Sequence, residues 1–206
     1  MRSADKAFVE FVRKTIKEYG MKLTLRNSNW VKADGFSCLG WFDIDSKKDI
    51  YEIRIAVKNP RWIEVLAHEY SHFLQWRKGT RLYRKCFGAD NNYGYADVVD
   101  DWLNGKEYDP RRVKRAFQAY RAMERECEQI TVKVLTKHNI DFDQERYSQE
   151  ANCSIYMYHF MELYRIKEFK KNPNDWRILR KMPSTLRVQS HKILPKEVSD
   201  VLEDCL

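Results

Sequence analysis

Asn59-Pro-Arg-Trp-Ile-Glu-Val-Leu-Ala-His-Glu-Tyr-Ser-His-Phe-Leu-Gln-Trp-Arg-Lys-Gly79 is the stretch on which the reading of this chain turns. Asn59 is an N-capping type, Pro60 suits a first helical position, and Lys78-Gly79 offers a stop, so the segment predicts one helix. Trp62, Ile63, Val65, Leu66, Ala67, Tyr70, Phe73, Leu74 and Trp76 cover most of its circumference, which predicts a largely buried helix. Inside it stands His68-Glu69-Tyr70-Ser71-His72, an HExxH pattern. Residues i and i+4 lie one turn apart on one side of a helix, so both imidazoles face the same point. At about 100° per residue, Glu69 falls among Trp62, Val65, Phe73 and Trp76, an apolar face on which a carboxylate is costly without a partner. Two imidazoles that can share an ion, beside a carboxylate that can take a proton from water, suit zinc-assisted hydrolysis. The alternative is that the three side chains hydrogen-bond one another in a core.

Catalytic zinc has three protein ligands and one exchangeable position. Asp109-Pro110 opens a second predicted helix that runs to about Thr136. Its apolar stripe reads Val113, Phe117, Tyr120, Cys127, Val134 and Leu135. Glu124 lies at the centre of that stripe and Glu128 one turn later on the same side. Glu124 is therefore the candidate third ligand, and Glu128 a candidate for orienting a zinc-bound histidine. Glu126 projects from the opposite side and is expected to be solvated. Pairing with the many nearby arginines is the alternative for these acids.

The run Glu124-Arg-Glu-Cys-Glu-Gln-Ile-Thr-Val-Lys-Val-Leu135, taken with HExxH, resembles the E-x-E-A-(N/D)-x-F-A-x-x-L-L helix of gluzincin-type metallopeptidases. It is similar to the ImmA/IrrE-like group and to membrane-bound relatives that share the helix. The resemblance spans roughly Tyr51 to Leu135 and implies that Glu124 is the third zinc ligand. It puts the Asn/Asp position at Glu128 and the small residue at Cys127. The chain departs from the pattern at Cys127, Ile130 and Thr131, where alanine, phenylalanine and alanine are usual. Over its whole length it is similar to small HExxH proteins of bacteriophages and bacteria. Gluzincins commonly stabilise the oxyanion with a histidine or tyrosine outside HExxH. That implication points to His159, Tyr156 or Tyr158, although tyrosines at helical spacing are usually packing residues.

The remaining elements fit a mainly helical α+β fold, one zincin-like domain over residues 1–206. Ser3 to Tyr19 predicts an amphipathic helix with Phe8, Val12, Ile16 and Tyr19 on one side and Gly20 as C-cap. Met21 to Val31, Cys38 to Asp45 and the alternating Tyr51-Glu-Ile-Arg-Ile-Ala-Val57 are candidate strands. Ser46 to Asp49 would turn the last two into a hairpin. A small antiparallel sheet packed on the active-site helix is expected, with an edge strand able to take an extended peptide. From Thr80 to Gly105 the periodicity fails. Gly88 to Gly94 is turn-rich, and Asp97, Asp100 and Asp101 lack the spacing of a calcium loop. A further helix is predicted over Gln149 to Lys171, after a turn and helix start at Asp141 to Tyr147.

The 206 residues can bury a sizeable core, and 33% charged with 14% aromatic residues excludes a disordered chain. No run of about 18 apolar residues predicts a membrane span, and Met1-Arg-Ser-Ala-Asp-Lys is no secretory leader. The five cysteines, at 38, 86, 127, 153 and 205, form no CxxC pair, which predicts reduced thiols. The expected protein is therefore soluble and cytoplasmic, in the host cytoplasm if phage-encoded. His138 falls at a helix end that favours a cation, and His191 in a basic, exposed tail. The formal net charge of +8 and the pI near 9.2 would attract an acidic protein or nucleic acid. Trp176, among Arg177, Arg180 and Lys181, is placed to stack on bases. An ordinary solvated basic face is the alternative, and no zinc-finger, phosphate-loop or RNA-recognition signature is present.

Two functions follow as expectations. The first is a Zn2+-dependent peptidase acting on a protein or peptide. His68, His72 and Glu124 would bind the metal, Glu69 would act as base, and His159 or Tyr156 would meet the oxyanion. The second is a regulatory or binding protein that keeps the same scaffold with little turnover and associates weakly with nucleic acid.

Overall fold

The computed structural model describes residues 2–33, 36–45, 50–88, 93–167, 175–186 and 194–203. The fold is a mainly helical α+β arrangement with two small sheets. The chain divides into two compact units: Met1–Lys78 with Ile130–Phe142, and Gly79–Gln129 with Asp143–Leu206.

In the first unit, α1 (Ser3–Lys17) buries Phe8, Val9, Val12 and Ile16 at helical spacing. Gly20, at φ 73°, ends this segment in the left-handed region open to glycine. β1 (Lys22–Arg26), β5 (Ile50–Ala56) and β4 (Gly40–Asp45) form a sheet in the order β1-β5-β4. β4 pairs with β5 antiparallel, with Phe42 opposite Ile53. β1 pairs with β5 in parallel, with Leu23 opposite Ile53. The sheet is thus mixed rather than antiparallel, because β1 reaches β5 through a long excursion and not through a hairpin. Ile53 and Ile55 point into the core. Arg54, on the other face, reaches Asp43 at 2.9 Å and Glu52 at 3.0 Å. Each of the two earlier strand expectations is broken: Met21 to Val31 becomes β1 and β2 (Val31–Ala33), and β3 (Phe36–Cys38) precedes β4. β2 and β3 pair as a separate antiparallel ribbon. The expected turn at Ser46 to Asp49 lies outside the described residues.

The helix α2 (Trp62–Lys78) packs on this sheet. Asn59 accepts from the Arg61 amide at 2.9 Å in the turn that precedes α2, so the helix begins at Trp62, later than the start expected at Pro60. Ile63, Leu66, Ala67, Tyr70 and Phe73 are buried, and with them Glu69, Ser71 and Gln75. The long helix α5 (Pro110–Lys137) is shared by the two units, its residues from Ile130 belonging to the first. There Thr131 donates its hydroxyl to Ser71 at 3.0 Å, and Ser71 donates onward to the Ala67 carbonyl at 2.7 Å. His138 lies against Phe8 and Phe11, ring centroids 5.0 and 4.4 Å away. Burial lowers its pKa, so aromatic packing outweighs the cation-favouring helix end expected of it.

The second unit holds α3 (Arg81–Phe87), in a stretch without readable periodicity, and α4 (Tyr95–Leu103), where Asp97, Asp100 and Asp101 are expected in a short helix or loop. Both are short and depend on caps: Thr80 accepts from the Tyr83 amide at 3.3 Å, and Asp97 accepts from the Gly94 amide at 2.6 Å. Glu126, expected in solvent, instead accepts the Thr80 hydroxyl at 2.6 Å. Val98 and Val99 pack with Val113, Ala116 and Phe117. α6 (Gln144–Tyr164) starts at Asp143, which accepts from the Arg146 amide, and stops at Arg165 in the left-handed region. Cys153, Tyr156 and Phe160 of α6 form a core with Leu179, Met182, Val198 and Leu202. These last residues come from or adjoin α7 (Trp176–Leu179) and α8 (Lys196–Glu203), in what the sequence presented as a basic tail. His191 and Cys205 lie outside the described residues.

Candidate metal centre

On α2 the four-residue spacing brings His68 Nε2 and His72 Nε2 to 3.1 Å, with their rings edge to face. Two ring nitrogens at that separation fit the neighbouring corners of a metal tetrahedron with bonds of about 2.0–2.1 Å. They equally fit one hydrogen bond between two neutral imidazoles. Gln75, fully buried one turn on, lies 3.0 Å from His72 Nδ1. Its amide oxygen accepts the Nδ1 proton, which puts the lone pair of His72 on Nε2. The i, i+3 spacing from His72 was the available signal for Gln75, and the sequence reading did not use it.

Glu69 is buried on the same turn. Gly40, the first residue of β4, passes so close that a Cβ there would stand 2.5 Å from Val65 Cγ1 and 2.9 Å from Glu69 Oε1. Glycine suits this position because the Val65 and Glu69 side chains fill the room a Cβ would need. Cys38 lies in the same neighbourhood. Burial, with the Glu69 charge as a second cause, pushes its thiol up to about 11. It is therefore a neutral thiol at ordinary pH.

Within the first unit, His68 and His72 are the pair of imidazole donors that could share a metal ion. Cys127 is buried on α5, one turn before the Thr131 that bonds Ser71. Two imidazole nitrogens are donors compatible with a divalent transition metal. Glu124, the expected third ligand, lies on the part of α5 that belongs to the second unit, where its charge helps raise the pKa values of Cys86 and Tyr120. Glu128 is buried and accepts a short hydrogen bond from the Tyr147 hydroxyl. No sequence spacing relates Tyr147 to Glu128, so that partner was illegible. Thr131 departs from the resemblance and uses its hydroxyl on Ser71, which gives the departure a physical reason.

The other candidates sit as follows. Tyr156 is buried within the α6–α8 core, as a packing residue is, and His159 is buried 6.2 Å from it, ring to ring. Tyr158 lies edge to face with Tyr120. Asp97 caps α4, Asp101 accepts from Tyr93 and Lys106, and Asp100 pairs with Lys167. These acids make helix caps and ion pairs, which accounts for them without calcium. The described cysteines 38, 86, 127 and 153 are unbridged. Among the described residues no helix is long and apolar enough to cross a membrane. Compared with protein-family models, curated proteins and solved structures, the chain matches none.

Proposed function

We propose that the chain is a zinc-dependent metallopeptidase that hydrolyses peptide bonds of a protein substrate. The observation that carries the reading is the 3.1 Å approach of His68 Nε2 and His72 Nε2 with Glu69 buried on the same turn. Zn2+ held there supplies Lewis acidity and lowers the pKa of water toward neutrality. His68 and His72 contribute ring nitrogens, and Gln75 keeps the His72 proton on Nδ1. The gluzincin resemblance assigns the third ligand to Glu124, and Cys127, three residues later on the same helix, offers a thiolate in its place. Glu69 takes a proton from the attacking water and returns it to the leaving amine. β4 is an outer strand of its sheet, and Gly40 at its start lies against Glu69. An extended peptide added to β4 would therefore run past the base. Unbridged cysteines suit a reducing cytoplasm.

Peptide-library cleavage by the zinc-loaded protein tests the reading, with Glu69→Gln as control. The variant should keep its zinc and lose about 10²–10⁴-fold in rate. Equal silence of both proteins would favour the scaffold as a binding module without turnover. Zinc titration of Cys127→Ala and Glu124→Ala separates the two ligand assignments: the true ligand is the one whose loss weakens binding.

A further inference from the structure

The second unit carries a row of cations that the peptidase reading does not use. At about 100° per residue, Arg111, Lys114, Arg115 and Arg125 share one arc of α5, together with Gln118, Ala122 and Gln129. No acid falls within that arc. Glu126 borders it, and its carboxylate is taken by the Thr80 hydroxyl. Arg111, Lys114, Arg115 and Gln118 are exposed, and Arg125 is half-buried. Among the described residues none of the four cations is in an ion pair, and the Nε of Arg125 is buried with no hydrogen-bond partner there. The neighbouring Arg121 behaves otherwise: it is buried and closed by Glu162 at 2.7 Å. A solvated face normally alternates its charges, so four cations with no acid among them are set up for an external polyanion.

The row spans about 21 Å at 1.5 Å per residue, and three of its four cations are arginines, whose planar forks suit phosphate oxygens. Beside the amino end of the helix, Arg112 lies over the Tyr108 ring at 5.2 Å, and the Tyr108 and Tyr93 hydroxyls touch. Tyr93 is 52% exposed, which gives a base a face on which to stack. We propose that this face of α5 binds single-stranded nucleic acid, with phosphates along the Arg111–Arg125 row and a base against Tyr93. An acidic peptide would match the charge but would make no use of the exposed ring, and a lipid surface likewise.

Fluorescence anisotropy of a labelled 20-nucleotide oligo(dT) tests this on the full chain. Four neutralised phosphates give a salt slope near −2.8, so affinity should fall about 50-fold between 50 and 200 mM NaCl. Arg111→Glu/Arg115→Glu should weaken binding at least about tenfold in low salt. Lys6→Glu/Lys14→Glu changes net charge equally on exposed α1 residues outside the row and should leave affinity within about twofold if the row, rather than net charge, holds the strand. Tyr93→Ala should weaken binding without altering the salt slope. Absence of binding in 50 mM salt, equal losses in both double variants, or tighter binding to duplex, polyglutamate or anionic phosphatidylserine vesicles would each overturn the proposal.

Discussion

Buried polar groups are closed differently in the two units. In the second, Arg121 donates to Glu162 at 2.7 Å, Tyr147 donates to Glu128, and the Asn152 amide donates to the Pro183 and Thr185 carbonyls at 2.7 and 3.1 Å. Each is a donor meeting an acceptor, so these three contacts offset the cost of burying their groups. On α2 of the first unit, two nitrogens of the same kind face each other at 3.1 Å, and Gln75 has already taken the Nδ1 proton of His72. A proton on His68 Nε2 or a cation between the rings makes that contact favourable. A complementary pair closes on itself; a like pair can also take a cation. The contrast separates the chemistry on α2 from the packing elsewhere.

The largest expected effect lies on the structural side. Arg121 has 2% and Glu162 19% side-chain exposure, so Arg121→Met leaves a charge without its partner and should cost about 3–5 kcal/mol in urea unfolding. Arg121→Met/Glu162→Leu should recover most of that loss. A single variant as stable as the wild type would show that this pair contributes nothing. Next comes Gly40→Ala, whose new methyl meets Val65 and Glu69. It should cost about 1–3 kcal/mol and lower peptide hydrolysis by displacing Glu69. Adding Val65→Ala removes the nearest clash and should restore stability. If Gly40→Ala is neutral in both assays, the strand does not press on the base.

A smaller change sharpens the histidine side. Gln75→Leu keeps the size but removes the acceptor for His72 Nδ1, and zinc affinity should fall about 10–100-fold with stoichiometry unchanged. Competition against a chromogenic chelator reads this directly. Unchanged affinity would mean that the ring orientation of His72 comes from packing alone.

The sequence spoke clearly where one local rule sufficed. Asp109 caps α5, accepting from the Arg111 amide at 2.8 Å, and Asn59 marks the turn that leads into α2. The i, i+4 rule placed the two imidazoles together. It was silent where partners come from afar. β1 pairs with β5 in parallel because Lys22 meets Glu52, thirty residues away, and strand composition alone does not choose that partner. α3 and α4 have too few residues for a readable period, so Thr80 and Asp97 were their only signals. In α5, one apolar stripe held both Glu124 and Cys127. A stripe names a face but not which residue on it would serve a metal.

The smallest effect expected is on pH dependence, at an aromatic site in the first unit and away from ligand chemistry. His138 lies between ordinary helix-end electrostatics and the rings of Phe8 and Phe11, and desolvation lowers its pKa from 6.5, with Lys137 adding to the shift. The folded chain thus favours neutral imidazole, while the unfolded chain takes up its proton as pH falls through about 6.5. Between that value and the depressed one the unfolded state binds more protons, so stability declines as pH drops and is level above the window. Urea midpoints at pH 8, 6.5 and 5 should trace this decline, and His138→Gln should flatten part of it. A larger pH slope in the variant would mean that His138 is protonated in the fold, and that the helix end rather than the two phenylalanines sets its charge.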